Sequence, residues 1–200
     1  MQTALDVFKT SMNRVRSLHA IHTVFSRQVT VAVDLSDILR AEVVLAVSAL
    51  DYFVHELTRL GMLECWSGLR PQTDAFGRFQ LPISATANLR NSSIAAQILD
   101  AEIRTKHGFL SFQHPDKIAD AIRLFSSVRL WDEVGNMLGR NAKEIKGSLT
   151  LIIDRRNKIA HEADIDPSYP SQRWPIDSGI VESIFIELEA IASAIFKTAT

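Results

Sequence analysis

The residues best suited to chemistry lie in one run, Arg155-Arg156-Asn157-Lys158-Ile159-Ala160-His161. A guanidinium presents planar paired donors that match phosphate oxygens. An imidazole takes up or releases a proton near neutral pH. Together they suit cleavage of a phosphodiester. RNA carries its own nucleophile, the ribose 2′-hydroxyl. Cutting it requires that hydroxyl to be deprotonated, the 5′-oxygen to be protonated and the crowded phosphorane to be stabilised. A positioned histidine contributes roughly 100- to 10,000-fold as acid or base. This scheme needs neither metal nor cofactor. The sequence near His161 has no HExxH pattern and no clustered carboxylate set.

The element that must position these groups reads as a long helix opened by Asn141 and running to about Ala163. At about 100° per residue, Ile145, Leu149, Ile152, Ile153, Ile159 and Ala160 share one face. Arg156 falls near the middle of that face. A charge there is costly to bury unless it is paired or reaches a wet cleft. His161 lies five residues further on, about 140° around an ideal helix, so the two groups do not share a narrow stripe. They converge only if the helix end meets a second surface that the long arginine side chain can reach. Asn157, four residues before His161, does share its face.

Arg156-Asn157-x-x-x-His161 resembles the signature of HEPN domains: an arginine, a polar residue, then a histidine a few positions later. The wider context resembles the RiboL-PSP-HEPN branch. It comprises Leu39-Arg40-Ala41-Glu42-Val43-Val44 running into Ala49-Leu50-Asp51-Tyr52-Phe53 on an early helix, Trp131 before an amphipathic segment, and the run ending His161-Glu162. The likeness spans roughly residues 35 to 197. It implies an endoribonuclease with Arg156 and His161 as the catalytic pair, set in prokaryotic defence or a toxin–antitoxin system. It also implies a homodimer in which two motifs face each other across a two-fold axis as one composite site. That arrangement would supply the second histidine that separate acid and base roles require. An active copy would endanger its own cell, so an antitoxin or other inhibitory partner is expected. Some HEPN toxins carry a modifiable tyrosine two residues past the histidine; here that position is Ala163.

Around the pair, Asn157 is a candidate to orient His161 or the scissile phosphate, or simply a polar residue bonding near the helix end. Arg155 and Lys158 are candidates for flanking phosphates, with solvated surface cations as the more common role for such residues. Asp51 is carried over from the family's polar position facing the motif, as a partner for Arg156; an ordinary surface carboxylate is the plainer reading. Glu162 and the negative helix end favour imidazolium at His161, and Arg156 opposes it. Two other readings of the whole stand beside the enzyme. One is a non-catalytic scaffold that binds RNA, nucleotide or a protein partner. The other is a plain bundle whose Arg156 is neutralised by a buried acid. His19 and His22 share a helix face without nearby ligands and read as surface or core residues. Trp66, Trp131 and Trp174 read as packing residues.

The chain has 200 residues, 46% of them hydrophobic, and a formal net charge of −1. That suits one domain with a sizeable core and argues against disorder. No global field marks a nucleic-acid binder. The distribution is uneven, however: residues 123 to 161 carry +4 and the remainder −5. A basic stretch around the motif suits a phosphate backbone, although solvated helix faces give the same count. The single cysteine, Cys65, excludes an intramolecular disulfide. With no signal-peptide pattern and no apolar run of membrane-spanning length, a soluble cytoplasmic protein is expected.

Three- and four-residue apolar spacing predicts helices over 3–28, from Asp34 or Ser36 to about Leu60 with Gly61 as the stop, 94–110, 115–130, 131–138, 141–163 and 176–197. Breakers at Gly68, Pro71, Gly77 and Pro82 predict an irregular insertion over about 61–93, with a short extended piece at 79–83. Pro167 and Pro170 predict a connecting loop. The expectation is a single all-α domain, a bundle of about five to seven helices, with the motif near the C-terminal end of the penultimate long helix.

Overall fold

A computed structural model describes residues 1–30, 32–89 and 94–200, the side chains of 87 and 88 excepted. Its organising element is α2, Ser36–Trp66, a helix of 31 residues. At 1.5 Å per residue it runs about 46 Å. Its apolar residues are spread around much of its circumference, and Val43, Val47, Leu50, Phe53, Val54, Leu57 and Met62 are fully buried. A helix apolar on several sides must be covered on several sides. Helix α1 (Gln2–Phe25) lies along it, as do α8 (Ala142–His161) and α9 (Ser178–Ala199). Further along, α5 (Ala95–His107) and α6 (Pro115–Arg123) cover it. Helix α7 (Leu130–Leu138) packs between α8 and α9. The main core draws on α1, α2 and α6 to α9, so the chain is mainly all-α.

The expected helices all form, with ends that physical detail moves. Asn141 caps α8 by accepting from the Glu144 amide, and Asp177 caps α9 by accepting from Ile180. Gly139, at φ 65°, stops α7 in the left-handed conformation that glycine tolerates best. The sequence misplaces the end of α2. Gly61 does not terminate it; the helix continues to Trp66. Gly61 is instead where the Phe125 ring packs against the helix backbone, and a Cβ there would lie 2.3 Å from Phe125 Cγ. Glycine is required by a close approach, not by a cap.

The region expected to be irregular contains two short helices, α3 (Asp74–Gly77) and α4 (Ile83–Asn88). Residues 79–82 lie in no helix or strand, as a loop requires, and Ile83, the last residue of the expected extended piece, begins α4 instead. A small second cluster forms here, where Met62, Leu99 and Ile103 gather Phe76, Phe79 and Leu81. The loop expected after the motif helix is a hairpin. Strand β1 (Ile165–Asp166) pairs antiparallel with β2 (Tyr169–Arg173), pairing Asp166 with Tyr169 and Ile165 with Arg173. Arg173 ties it to the start of α2 through Asp37 and, at 2.8 Å, Asp34. Among the described residues no helix is long and apolar enough to cross a membrane.

Candidate functional site

The stripe on α8 behaves as its spacing predicts until it reaches the motif. Ile145, Leu149, Ile152 and Ile153 are buried. Arg156 comes next on that face and is half-buried; Ile159 beyond it still packs against the core, whereas Ala160 is exposed. Its Nη1 donates to Asn157 Oδ1 at 3.0 Å, while its Nε is buried without a hydrogen-bond partner. No carboxylate pairs with it among the described residues, so the reading in which a buried acid neutralises Arg156 is not what the fold provides. The guanidinium keeps donor capacity that nothing among the described residues uses. An unmet buried donor costs about 1–3 kcal/mol.

His161 is the last residue of α8 and is exposed. The backbone then turns abruptly. Ala163 and Asp164 both adopt positive φ, 51° and 59°. Each such residue with a Cβ costs roughly 1–2 kcal/mol, so something must hold them. That something is the Asp164 carboxylate, which is completely buried. Its Oδ2 accepts from Arg40 Nε of α2 at 2.7 Å and from Arg155 Nη2 at 2.8 Å. The Asp164 amide returns to the Lys158 carbonyl at 2.9 Å, and the Trp174 amide donates to the Asp164 carbonyl. Arg40 also donates to Ser36 Oγ and to the Trp174 carbonyl. The C-terminal turn of the motif helix is thus clamped to α2 and to the hairpin by one carboxylate and two guanidiniums.

This clamp revises the roles expected of the neighbouring residues. Arg155 is not a solvated surface cation. Its Nη2 is held by Asp164 and by the carbonyls of Trp174 and Pro175, and burial lowers its pKa, partly opposed by the Asp164 charge. It remains charged at neutral pH. Lys158 lays its ammonium over the Trp174 ring, 4.8 Å from the centroid. Asn157 is engaged with Arg156. Asp51 does not pair with Arg156. Its carboxylate accepts from the Phe112 amide at 2.6 Å and from Gln113 Nε2 at 3.2 Å, with His55 Nε2 3.7 Å away. Asp51 therefore anchors the approach to α6.

The structure joins Arg156 to Asn157 by a hydrogen bond and leaves His161 exposed at the end of the same helix, without a hydrogen bond to either; it adds Arg40 and Asp164, which the sequence did not single out. Arg40 lay within the stretch quoted for the early helix, but its partner is 124 residues away. A second buried charge was also missed. Glu42 of α2 is fully buried, with His19 Nδ1 2.8 Å from its Oε2 and no partner for Oε1. Burial raises its pKa, and the hydrogen bond to His19 opposes the rise. His19 therefore does have a carboxylate beside it, on the next helix.

Among the hollows of the described surface are a cleft of about 930 Å³ near the start of α8 and one of about 360 Å³ beside His22 and Ser178; neither of these two is lined by Arg156 or His161. The chain matches no protein-family model, no curated protein and no solved structure.

Proposed function

We propose that this protein is a metal-independent endoribonuclease of the HEPN kind, with His161 as proton-transfer group and Arg156 as phosphate-binding cation. The observation that carries the reading is the contrast between adjacent arginines. Arg155 is paired with a buried carboxylate that it shares with Arg40, whereas Arg156, on the same turn, is half-buried with no acid beside it among the described residues. A core has no use for an unpaired guanidinium; a phosphate site does. The exposed imidazole at the helix end supplies the other requirement.

In this reaction the 2′-oxygen loses its proton to a base and attacks phosphorus. The bond from phosphorus to the 5′-oxygen breaks, and that oxygen takes a proton from an acid. A 2′,3′-cyclic phosphate and a 5′-hydroxyl result. One His161 cannot serve as base and acid in the same step. A homodimer that sets two copies of Arg156 and His161 across a two-fold axis supplies both. This assembly would also give Arg156 a groove, which neither of the two hollows described above provides. RNA is the substrate, and an inhibitory partner restrains the activity, in keeping with a toxin–antitoxin or defence role.

The test is cleavage of total cellular RNA in EDTA by the wild type, His161→Ala and Arg156→Ala, with the product ends mapped. Cutting that leaves 2′,3′-cyclic phosphates and falls at least 100-fold in both variants establishes the reading. Undiminished cutting by either variant, or none by the wild-type dimer, refutes it. The second reading is a non-catalytic scaffold for RNA, nucleotide or a protein. It is favoured by the absence of Arg156 and His161 from the linings of both hollows.

A further inference from the structure

The cleft of about 930 Å³ lies at the opposite end of α8 from His161. One wall is the connection from α2 through α3, residues 70 to 78, and the other is the connection from α6 to α7, residues 123 to 132; Ala142 and Lys146 of α8 close it. Five cations line it, Arg70, Arg78, Arg123, Arg129 and Lys146, against two acids, Asp74 and Asp132. Three of the five are engaged. Arg70 donates to the Ala199 carbonyl and lies over the Phe125 ring, Lys146 pairs with Asp116 at 2.7 Å, and Arg123 pairs with Asp120. Arg78 and Arg129 are exposed and have no partner among the described residues. Arg129 is also the N-cap of α7, and no side chain caps that helix. The positive end of α7 therefore opens into the same space.

The walls are fixed to one another. Thr73 Oγ1 accepts from the Phe76 amide and donates to the Arg123 carbonyl at 2.8 Å, so one hydroxyl both caps α3 and fastens it to the end of α6. Phe125 beneath is seated on Gly61. Two uncommitted guanidiniums on walls that are tied to one another, in a space of this size, suit an anion.

We propose that this cleft binds phosphate groups, with Arg78 and Arg129 as the residues that hold them. The aromatic residues of the lining argue that it reads phosphate and not bases. Phe125 is 1% and Trp131 7% exposed, and the Trp131 indole N–H is used by the Pro115 carbonyl. No ring face is offered for a base to stack on. Phosphate reaches such a site from two sources, the backbone of an RNA strand or a free polyphosphate. Geometry favours the strand. Lys146 and His161 are fifteen residues apart on α8, about 22 Å. A stacked strand at ~3.4 Å per nucleotide covers that in about six or seven nucleotides. A substrate cut at the motif would then be held upstream or downstream by the cleft; that last step rests on the ribonuclease reading, whereas phosphate binding does not.

The experiment uses the wild-type chain and a fluorescein-labelled 2′-O-methyl RNA of about 20 nucleotides, which lacks the 2′-hydroxyl and so reports binding whether or not the protein cleaves. Anisotropy titrations at about 50 and 200 mM salt compare the wild type with Arg78→Gln/Arg129→Gln, and inorganic tripolyphosphate binding to each is measured directly by isothermal titration calorimetry. Both arginines are exposed, so an unchanged thermal midpoint is expected of the variant and is checked. At least tenfold weaker RNA binding by the variant, with the log–log salt slope reduced by about 1.4 for two single-strand phosphate contacts, supports the strand as ligand. Tripolyphosphate binding that the variant loses, with RNA binding unchanged, supports the site with free polyphosphate as its ligand. Equal binding of both probes by variant and wild type, or binding of neither by the wild type, overturns the proposal.

Discussion

Replacing Asp164 with Asn removes one charge and almost no volume, and it isolates what holds the end of the motif helix. Asn tolerates the left-handed conformation that Asp164 adopts at φ 59°, so the backbone is not the perturbation. What changes is the acceptor for two guanidiniums, Arg40 at 2.7 Å and Arg155 at 2.8 Å, whose side chains are 8% and 19% exposed. Removing one partner from a buried ionic cluster typically costs 3–5 kcal/mol, because the remaining charges stay desolvated. Here the amide oxygen still accepts one bond, Arg40 keeps Ser36 and the Trp174 carbonyl, and Arg155 gains some water. The low end, about 3 kcal/mol, is the expected loss. Urea denaturation reads it directly: with m of about 2–3 kcal/mol/M, the midpoint falls by about 1–1.5 M at unchanged m. The figure measures the penalty of orphaned cations, not the net value of the intact cluster. A double-mutant cycle with Arg155→Leu separates the two: the cost of losing Asp164 should shrink by at least 1 kcal/mol once Arg155 is gone. A loss below 1 kcal/mol for Asp164→Asn, or a cycle with no coupling, would show that the carboxylate does not hold the helix end.

Gly61→Ala places a methyl 2.3–2.8 Å from three Phe125 side-chain atoms. The gain of about 1 kcal/mol in helix propensity is outweighed, and a net loss of about 2 kcal/mol is expected by calorimetry or urea titration; a rise in stability would restore the helix-stop reading of Gly61. Ala163→Gly relieves the positive φ of 51° and should stabilise by about 0.5–1 kcal/mol in the same assay. His107 is buried among Phe79, Phe112 and His55, and burial, then the His55 charge, lowers its pKa to about 4. The unfolded chain takes up that proton near pH 6.5 while the folded one refuses it. The contribution is therefore complete above about pH 6.5 and lost as pH falls toward 4, at most about 3 kcal/mol at 1.36 kcal/mol per unit. His107→Phe should flatten this part of the stability–pH curve, and an unchanged slope between pH 6.5 and 4.5 would contradict the assignment.

Much of this molecule was legible in its sequence because helices are local objects. The spacing of Ile145, Leu149, Ile152 and Ile153 placed α8 and its buried face, and Asn141 and Gly139 marked their helix ends, since caps act through residues within a turn. The same local view placed Arg156 in an apolar stripe and His161 at a helix end. It failed wherever a residue's meaning comes from a distant partner. Gly61 looks like a stop until Phe125, 64 residues on, is packed against it. Arg155 and Arg156 are equivalent as letters; only the fold gives Asp164 and Trp174 to one and leaves the other without an acid among the described residues. Glu42 and His19 become a buried pair only because α1 lies along α2. The hairpin at 165–173 escaped notice because β2 is exposed along its whole length, so no alternation of apolar and polar residues marks it. Sequence determined the helices, the central apolar α2 and the chemistry available at the motif. Tertiary structure decided which charges are neutralised, because ion pairing depends on distances across the chain that no local pattern encodes.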